Sequence, residues 1–330
     1  MNHKSVVVIG DVTIDVFLTP KAGEASCQMK QNEKFLCFSY GDKIPVESVT
    51  YLTGGNAANV SIGLRRLDIP ASIYTTIGTD SVSKMIYEHL ELEQINTQHV
   101  TMKAGIASNY STVIVYQGER TILTYHAPKT YTFTKEPCTD CYVYLTSMGE
   151  NFMSFYRDLI NQLKENPGVT LFFNPGSLQV RAPIEDIHFI LSRTNTLFVN
   201  RQEAEIFSGL SDSETKEKEL LQTLAHLGPQ HIVITDGKQG VFAYNGSEYY
   251  RSSVIPVTVV EKTGAGDAFN SAFVAAILKD LSFEQALQWG TMNAASVIGY
   301  VGAQKGLLHT KDIDAWSRIY TDAKATIERF

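Results

Sequence analysis

The chain has 330 residues, 44% of them hydrophobic, and a formal net charge of -7. That length allows one large domain or two smaller ones, and that composition supplies a full hydrophobic core. The acidic balance disfavours a nucleic-acid or anionic-membrane partner. No apolar run approaches the ~20 residues that a membrane helix needs.

The N-terminal stretch "MNHKSVVVIGDV" runs straight into a β-branched segment and lacks a signal-peptide pattern, which points to the cytoplasm. "SVVVIG" reads as a first strand ending in Gly-Asp. "NAANVSIGLRRLDI" follows a Gly-Gly pair, and Ala57, Val60, Leu64 and Leu67 share one helical face. "ASIYTTIG" reads as a strand, and "SVSKMIYEHLELE" as a helix with Ser81 as N-cap. Strands "VYLTS", "VTLFFN", "TLFVN" and "HIVITDG" then alternate with helices "FYRDLINQLKEN", "IEDIHFILSR", "RQEAEIFSG" and "KEKELLQTLAHLG". Two long helices, "GDAFNSAFVAAILKDL" and "FEQALQWGTMNAASVIGYVG", precede a last amphipathic stretch. Such alternation predicts a mostly parallel sheet with helices on both faces, and ligands outside the carboxyl ends of its strands.

Two stretches break the alternation. Phe17–Thr53 carries Gly, Pro and charges before "SVTYLT", and Gly105–His126 reads as a hairpin around Gly118-Glu119. Neither contains a helix between strands, so both predict a small antiparallel sheet. The expected division is an α/β core over 1–16, 54–104 and 127–330, with a β lid over 17–53 and 105–126. A lid would exclude water during group transfer. Of four cysteines, Cys138 and Cys141 form a C-x-x-C with no second ligand pair nearby, so Cys27, Cys37 and both of these read as structural or incidental.

The strand ends carry the chemistry. Gly264-Ala265-Gly266-Asp267 opens a helix, whose first N–H groups lack partners and attract an anion. An ionised Asp267 beside them can take a proton from a hydroxyl attacking a phosphoryl group. The alternative is a tight turn with an acidic cap. Asp11 and Asp15 follow the first strand, and Gly54, Gly55, Asn56 and Asn59 open the next helix; both sets suit a polyol, or a turn and a cap. Asn200 and Glu203 suit the water shell of magnesium, or a capping box. Thr235, Gly237 and Gly240 suit nucleotide phosphates, or a glycine turn. Neither a dinucleotide fingerprint nor a Walker A loop is present.

Taken together, "GDVTIDV", "GGNAANVSIGLRRL", "NRQEAE", "VITDGKQGV" and above all "TGAGDAFNSAF" resemble the PfkB carbohydrate kinase family, the ribokinase-like kinases, over almost the whole chain. The resemblance implies a three-layer α/β/α sandwich with a small β lid, and transfer of the γ-phosphoryl of ATP to a hydroxyl. It implies Asp267 as base, Gly264 to Asp267 as anion hole, and Asp11, Asp15, Gly55, Asn56 and Asn59 as substrate contacts. It implies Asn200, Glu203, Thr235, Gly237, Gly240, Thr263 and Asn293 as nucleotide contacts, with Glu203 linked to magnesium through water. Glu261-Lys262-Thr263 stands where many members carry Asp-Thr-Thr and bind a monovalent cation. Lys262 brings positive charge there, so potassium activation is not expected, although carbonyls in "YVGAQKGLL" offer a site.

The polar set around Asp11, Asp15, Asn56 and Asn59 is neutral or acidic and favours a free sugar or sugar acid. A sugar phosphate needs cations aimed inward; Arg120 and Lys129 are available but read as solvated surface charges. A nucleoside is the alternative if Phe17, Phe38, Tyr40 or Tyr110 stacks on a base. A non-catalytic sugar sensor would not need an intact Asp267. An oxidoreductase would need a glycine fingerprint that "GDVTID" lacks. The long β-rich insertion offers an exposed sheet edge for a homodimer.

Overall fold

The β-branched run Val6–Ile9 forms β1 near the middle of a ten-stranded sheet. The computed structural model describes residues 4–30, 33–131, 142–210 and 216–330; the C-x-x-C pair lies outside them. After β1, the chain leaves the main sheet for β2 (Thr13–Pro20), the hairpin β3 (Ser26–Lys30) and β4 (Glu33–Cys37), and β5 (Val46–Gly54). It returns through α1 (Asn56–Arg66), β6 (Ala71–Ile77), α2 (Ser81–Leu92) and β7 (Asn96–Met102). A second excursion supplies β8 (Asn109–Tyr116) and β9 (Glu119–Tyr125).

From there strands and helices alternate: β10 (Tyr142–Leu145), α3 (Phe152–Glu165), β11 (Thr170–Phe173), α4 (Ser177–Val180), α5 (Ile184–Leu191) and β12 (Thr196–Asn200). Then follow α6 (Arg201–Ser208), α7 (Glu217–His226), β13 (His231–Thr235), β14 (Val241–Tyr244) and β15 (Tyr249–Ser252). Helices α8 (Ala265–Leu278), α9 (Phe283–Val297) and α10 (Ile313–Asp322) precede a short β16 (Ile327–Arg329).

The sheet order is β16-β15-β14-β13-β12-β11-β10-β1-β6-β7. From β7 to β13 every pairing is parallel, so these carboxyl ends share one edge. The last three strands add antiparallel. Two apolar layers cover the sheet. One packs α1, α8 and α9 against it; the other packs α3, α5 and α7. Helix α8 is apolar nearly all round because α1 and α9 cover what the sheet does not. Phe198 of β12 meets Phe273 of α8 edge-on at 5.4 Å, a geometry aromatic pairs favour.

The second sheet has the order β5-β2-β8-β9. Here β2 pairs antiparallel with β5 and parallel with β8. Thr13–Val16, read from sequence with the core, therefore belong to this sheet. Asp15 points from a strand of it rather than from the end of β1. The hairpin turn is Gln117-Gly118, one residue earlier than expected, since Tyr116 pairs with Glu119 and both turn residues have positive φ.

Two helix ends also differ from expectation. The N-cap of α2 is Asp80, not Ser81: its carboxylate accepts from Ser83 N–H, and also holds the Ser108 N–H and hydroxyl, all at 2.8 Å. Helix α9 stops at Val297 rather than running to Gly302. The Ile298 carbonyl instead accepts the N–H groups of Val260 and Glu261, at 2.8 and 3.1 Å. That crossing brings the loop after α9 alongside the approach to α8.

Candidate active site

A cavity of about 410 Å³ lies where the carboxyl edge of the main sheet faces the small sheet. The chain reaches it from several strand ends at once. Asp11, Gly55, Asn56, Asn59, Asn200, Glu203, Thr235 and Thr263 to Asp267 all line it. So does Asp15, from the small sheet. The structure thus brings together most residues singled out from the sequence.

Helix α8 begins at Ala265 with Gly264 as its N-cap in the left-handed region, φ 76°. A Cβ there would stand 2.3 Å from the Ala303 Cβ, so the loop after α9 demands glycine. Asp267 makes no cap bond; the reading of an acidic cap is replaced by an aspartate within the first turn of the helix. The Ala268 N–H closes onto the Gly264 carbonyl at 2.8 Å, and that of Ala265 onto Lys262 at 3.4 Å. Between them lie the N–H groups of Gly266 and Asp267, in the turn where a helix offers donors to an anion. No described atom lies within 4 Å of where a Cβ at Gly266 would stand, so the turn opens toward the cavity.

Asp267 itself is buried. Its Oδ2 accepts the Asn59 Nδ2 at 2.8 Å. Burial pushes its carboxyl up to about 7; the bonds from Asn59 and Asn56 oppose this, and the Glu203 charge adds to it. A carboxyl raised toward neutrality by burial, yet held by amide donors, suits a general base.

Asn200 and Glu203 form a reciprocal capping box at the start of α6, each bond 2.9 Å. Burial raises the Glu203 carboxyl. One carboxylate oxygen is spent on the cap. Glu203 still lines the cavity and retains acceptor capacity for the water shell of a magnesium ion, which takes few protein ligands. Among the described residues there is no cluster of three or more His, Cys, Asp or Glu able to hold a metal.

Asp11 is not free for substrate alone. Lys129 lies 3.1 Å from its Oδ1 with a side chain 0% exposed. The Tyr131 hydroxyl is 3.0 Å from both oxygens and accepts the Gly149 N–H at 2.6 Å. The sequence reading of Lys129 as a solvated surface charge is therefore overturned: Asp11 draws it inside, since a buried carboxylate needs a partner. Arg120 is not merely solvated either. It donates to Glu261 at 2.6 Å, and Glu261 also accepts the Gly302 N–H at 2.6 Å and the Thr263 hydroxyl. A guanidinium thus already neutralises the carboxylate that stands where a monovalent cation was considered.

Gly237, Gly240 and Asn293 do not line this cavity. The side chain of Asn293 joins α8 to the following loop, donating to the Ala268 carbonyl at 2.7 Å and accepting Leu308 N–H at 2.8 Å. Gly240 sits against the Ser252 carbonyl, where a Cβ would have no room. Of the four aromatic residues considered for base stacking, only Phe17 lines the cavity; Phe38 and Tyr40 are exposed.

Several lining residues escaped the sequence reading. Asn109, Ser111 and Thr124 come from the small sheet and His126 follows its β9; the hairpin is a local object, but its parallel pairing with β2 is not. Asn270 also lines the cavity and holds the Tyr144 hydroxyl at 2.9 Å. It lies one helical turn beyond Asp267, so helical spacing alone could have found it.

The model of the pfkB family carbohydrate kinases matches residues 3–311. A ribokinase of Haemophilus influenzae is 26% identical over 294 residues, covering 81% of this chain and 88% of that protein. An ATP-dependent 6-phosphofructokinase of Thermoanaerobacterium thermosaccharolyticum is 24% identical, covering 97% and 98%. The solved structure of Arabidopsis thaliana ribokinase complexed with ribose and ATP superposes with a TM-score of 0.77 at 20% identity, covering 95% of this chain and 98% of that one. The family model spans nearly the whole chain, and the chain belongs to the pfkB family of carbohydrate kinases, phosphotransferases that act on hydroxyl groups.

Proposed function

We propose that this chain transfers the γ-phosphoryl of ATP to a hydroxyl of a free sugar or sugar acid. The observation that carries the reading is the position of Asp267: buried, held by Asn59 at 2.8 Å, and in the first turn of a helix whose open N-terminus faces the cavity. The Asp267 carboxylate takes the proton of the attacking hydroxyl. That oxygen bonds to the γ-phosphorus as the bond to the bridging oxygen of ADP breaks. The N–H groups of Gly266 and Asp267 meet the charge on the transferring phosphoryl. Gly264 and Ala265 shape that turn, and Thr263 flanks it. Asn200, Glu203 and Thr235 stand on the nucleotide side, with Gly237, Gly240 and Asn293 supporting it from outside the cavity. Magnesium, bound through water to Glu203, would neutralise phosphate charge.

The acceptor end is built for hydroxyls. Asp11 and Asp15 accept, Asn56 both donates and accepts, and Gly55 lets the chain pass close by. Burial raises the Asp15 carboxyl; the Ser111 bond lowers it and the Glu261 charge raises it again. Of the described lysines and arginines, Lys262 alone lines the cavity, and Lys129 and Arg120 are committed to Asp11 and Glu261. That disfavours a phosphorylated sugar, which calls for a cationic clamp. Phe17 as the one stacking aromatic among the four considered disfavours a nucleoside.

Segments 17–53 and 105–126 serve in this reading as a lid on the core formed by 1–16, 54–104 and 127–330. Val49, Tyr51, Leu123 and Tyr125 are exposed on strands of the small sheet and would seat a second copy as a homodimer. Among the described residues no helix is long and apolar enough to cross a membrane. The test is ADP release from ATP and magnesium against free sugars, sugar acids, nucleosides and sugar phosphates. Turnover confined to sugars or sugar acids supports the reading. Turnover confined to phosphorylated acceptors or nucleosides replaces it.

A further inference from the structure

The hydrogen bond on Asp267 is the inner end of a longer chain. Asn59 of α1 donates to Asp267 at 2.8 Å and accepts the Gln304 Nε2 at 2.9 Å. The Gln304 Oε1 in turn lies 2.8 Å from the His89 Nε2 of α2. Asp267, Asn59 and Gln304 are buried, and His89 is partly so. Four residues on four separate segments form one line from the cavity to the edge of solvent.

Two of the four are amides, and an amide between two partners can face either way. An ionised Asp267 accepts only, so Asn59 must present N–H to it. Asn59 then shows its oxygen to Gln304, which must present N–H in return. The Gln304 oxygen is left facing His89, whose Nε2 must carry a proton. A His89 protonated on Nδ1 alone would reverse both amides. It would set the Asn59 oxygen against the Asp267 carboxylate, a repulsive pairing in a buried site.

We propose that His89 and Gln304 are positioning residues of the active site: through Asn59 they fix the amide polarity that keeps a donor on Asp267. This rests on reading Asp267 as the base. The surroundings of the outer end are arranged to hold it. Arg66 of α1 donates to the Gln304 carbonyl at 2.7 Å, fixing the loop, and pairs with Glu93 at 2.5 Å. Against burial, which raises it, the carboxyl of Glu93, four residues on from His89, is lowered by Arg66 from α1, by His89 and by His309 from the loop after α9. Both the neutral Nε2–H form and the imidazolium donate to Gln304, so protonation of His89 leaves the chain intact. Only the Nδ1–H tautomer breaks it.

The test reads the Asp267 carboxyl directly, without any acceptor. Carbon-13 side-chain carboxyl titration of the free protein follows Asp267, assigned by the loss of its signal in Asp267→Asn. Nitrogen-15 shifts report the His89 tautomer. We expect Nε2–H in the wild type at pH 8. His89→Phe and Gln304→Leu are expected to move the Asp267 midpoint up by about 1–2 pH units, the scale of one hydrogen bond to a charged group, and His89→Gln to restore it. An Nδ1–H tautomer overturns the proposal. So does an unmoved midpoint in both variants with only the melting temperature lowered, the mark of a structural strap. Full turnover in Asp267→Asn would defeat the base assignment instead, while both spectroscopic arms still decide the polarity.

Discussion

Arg120, on the β8–β9 hairpin, donates to Glu261, three residues before Gly264, at 2.6 Å. The same carboxylate accepts Gly302 N–H and the Thr263 hydroxyl, so one side chain ties the small sheet, the loop after α9 and the turn that opens α8. Glu261 also acts on Asp15, raising its carboxyl. Arg120→Ala leaves Glu261 uncompensated beside the acceptor end. The expected result is an acceptor KM raised about tenfold, the size of ~1.4 kcal/mol, with the KM for ATP changed far less. Steady-state kinetics with the preferred acceptor checks this, and equal changes in both constants would contradict it.

The same pairing bears on monovalent cations. With a guanidinium already on Glu261, no free carboxylate calls for potassium. Turnover in potassium, sodium and choline salts at equal ionic strength is expected to agree within about twofold, the spread ordinary ionic effects produce. A tenfold or greater preference for potassium would show that carbonyls of the loop after α9 bind a cation regardless.

Lys129 and Asp11 make the most deeply buried ion pair among the described residues. Removing one partner of such a pair strands the other charge, at a cost of about 3–5 kcal/mol. Lys129→Met is therefore expected to lower unfolding free energy by that order in a urea titration. It should also weaken acceptor binding, because Asp11 would turn toward its remaining donor, Tyr131. A loss under about 1 kcal/mol, the range of a surface pair, would contradict the burial argument.

The Asp267 carboxyl, raised by burial to about 7, sets a pH dependence with two opposed signs. With Asp267 as the proposed base, catalysis needs the ionised form, so turnover should rise with pH through an acid limb near 7. Stability runs the other way. A folded pKa above the unfolded one favours the folded state below the unfolded pKa, near 4, and that contribution is lost as pH rises through 7. Glu203 and Asp15 are raised by burial as well and contribute in the same direction. The difference in melting temperature between wild type and Asp267→Asn should therefore shrink or reverse in sign from pH 5 to pH 8. A difference independent of pH would contradict the raised carboxyl.

How much of this could be read from the chain alone depends on the range of each interaction. Gly264, Gly266 and Asp267 were legible because a helix N-terminus is a local object: the residues that make it are adjacent. Asn200 and Glu203 were legible for the same reason, since a capping box spans three residues. Lys129 was not legible. Its burial follows from Asp11, 118 positions away, and "APKTY" carries no local sign of it. Gln304 was hidden likewise, 245 positions from Asn59. The alternation of strands and helices exposed the main sheet, but β2 was misplaced. Its parallel partner β8 arrives from beyond five intervening strands and two helices, and it is pairing with β5 and β8 that assigns Thr13–Val16 to the small sheet.

The account stands most directly on Asp267. The measurement is ADP release by wild type and Asp267→Asn, with nucleotide binding followed in parallel by calorimetry. Loss of about two to four orders of magnitude in turnover with ATP still bound is the expected result, the usual scale for a missing general base. Near-wild-type turnover in Asp267→Asn would contradict it.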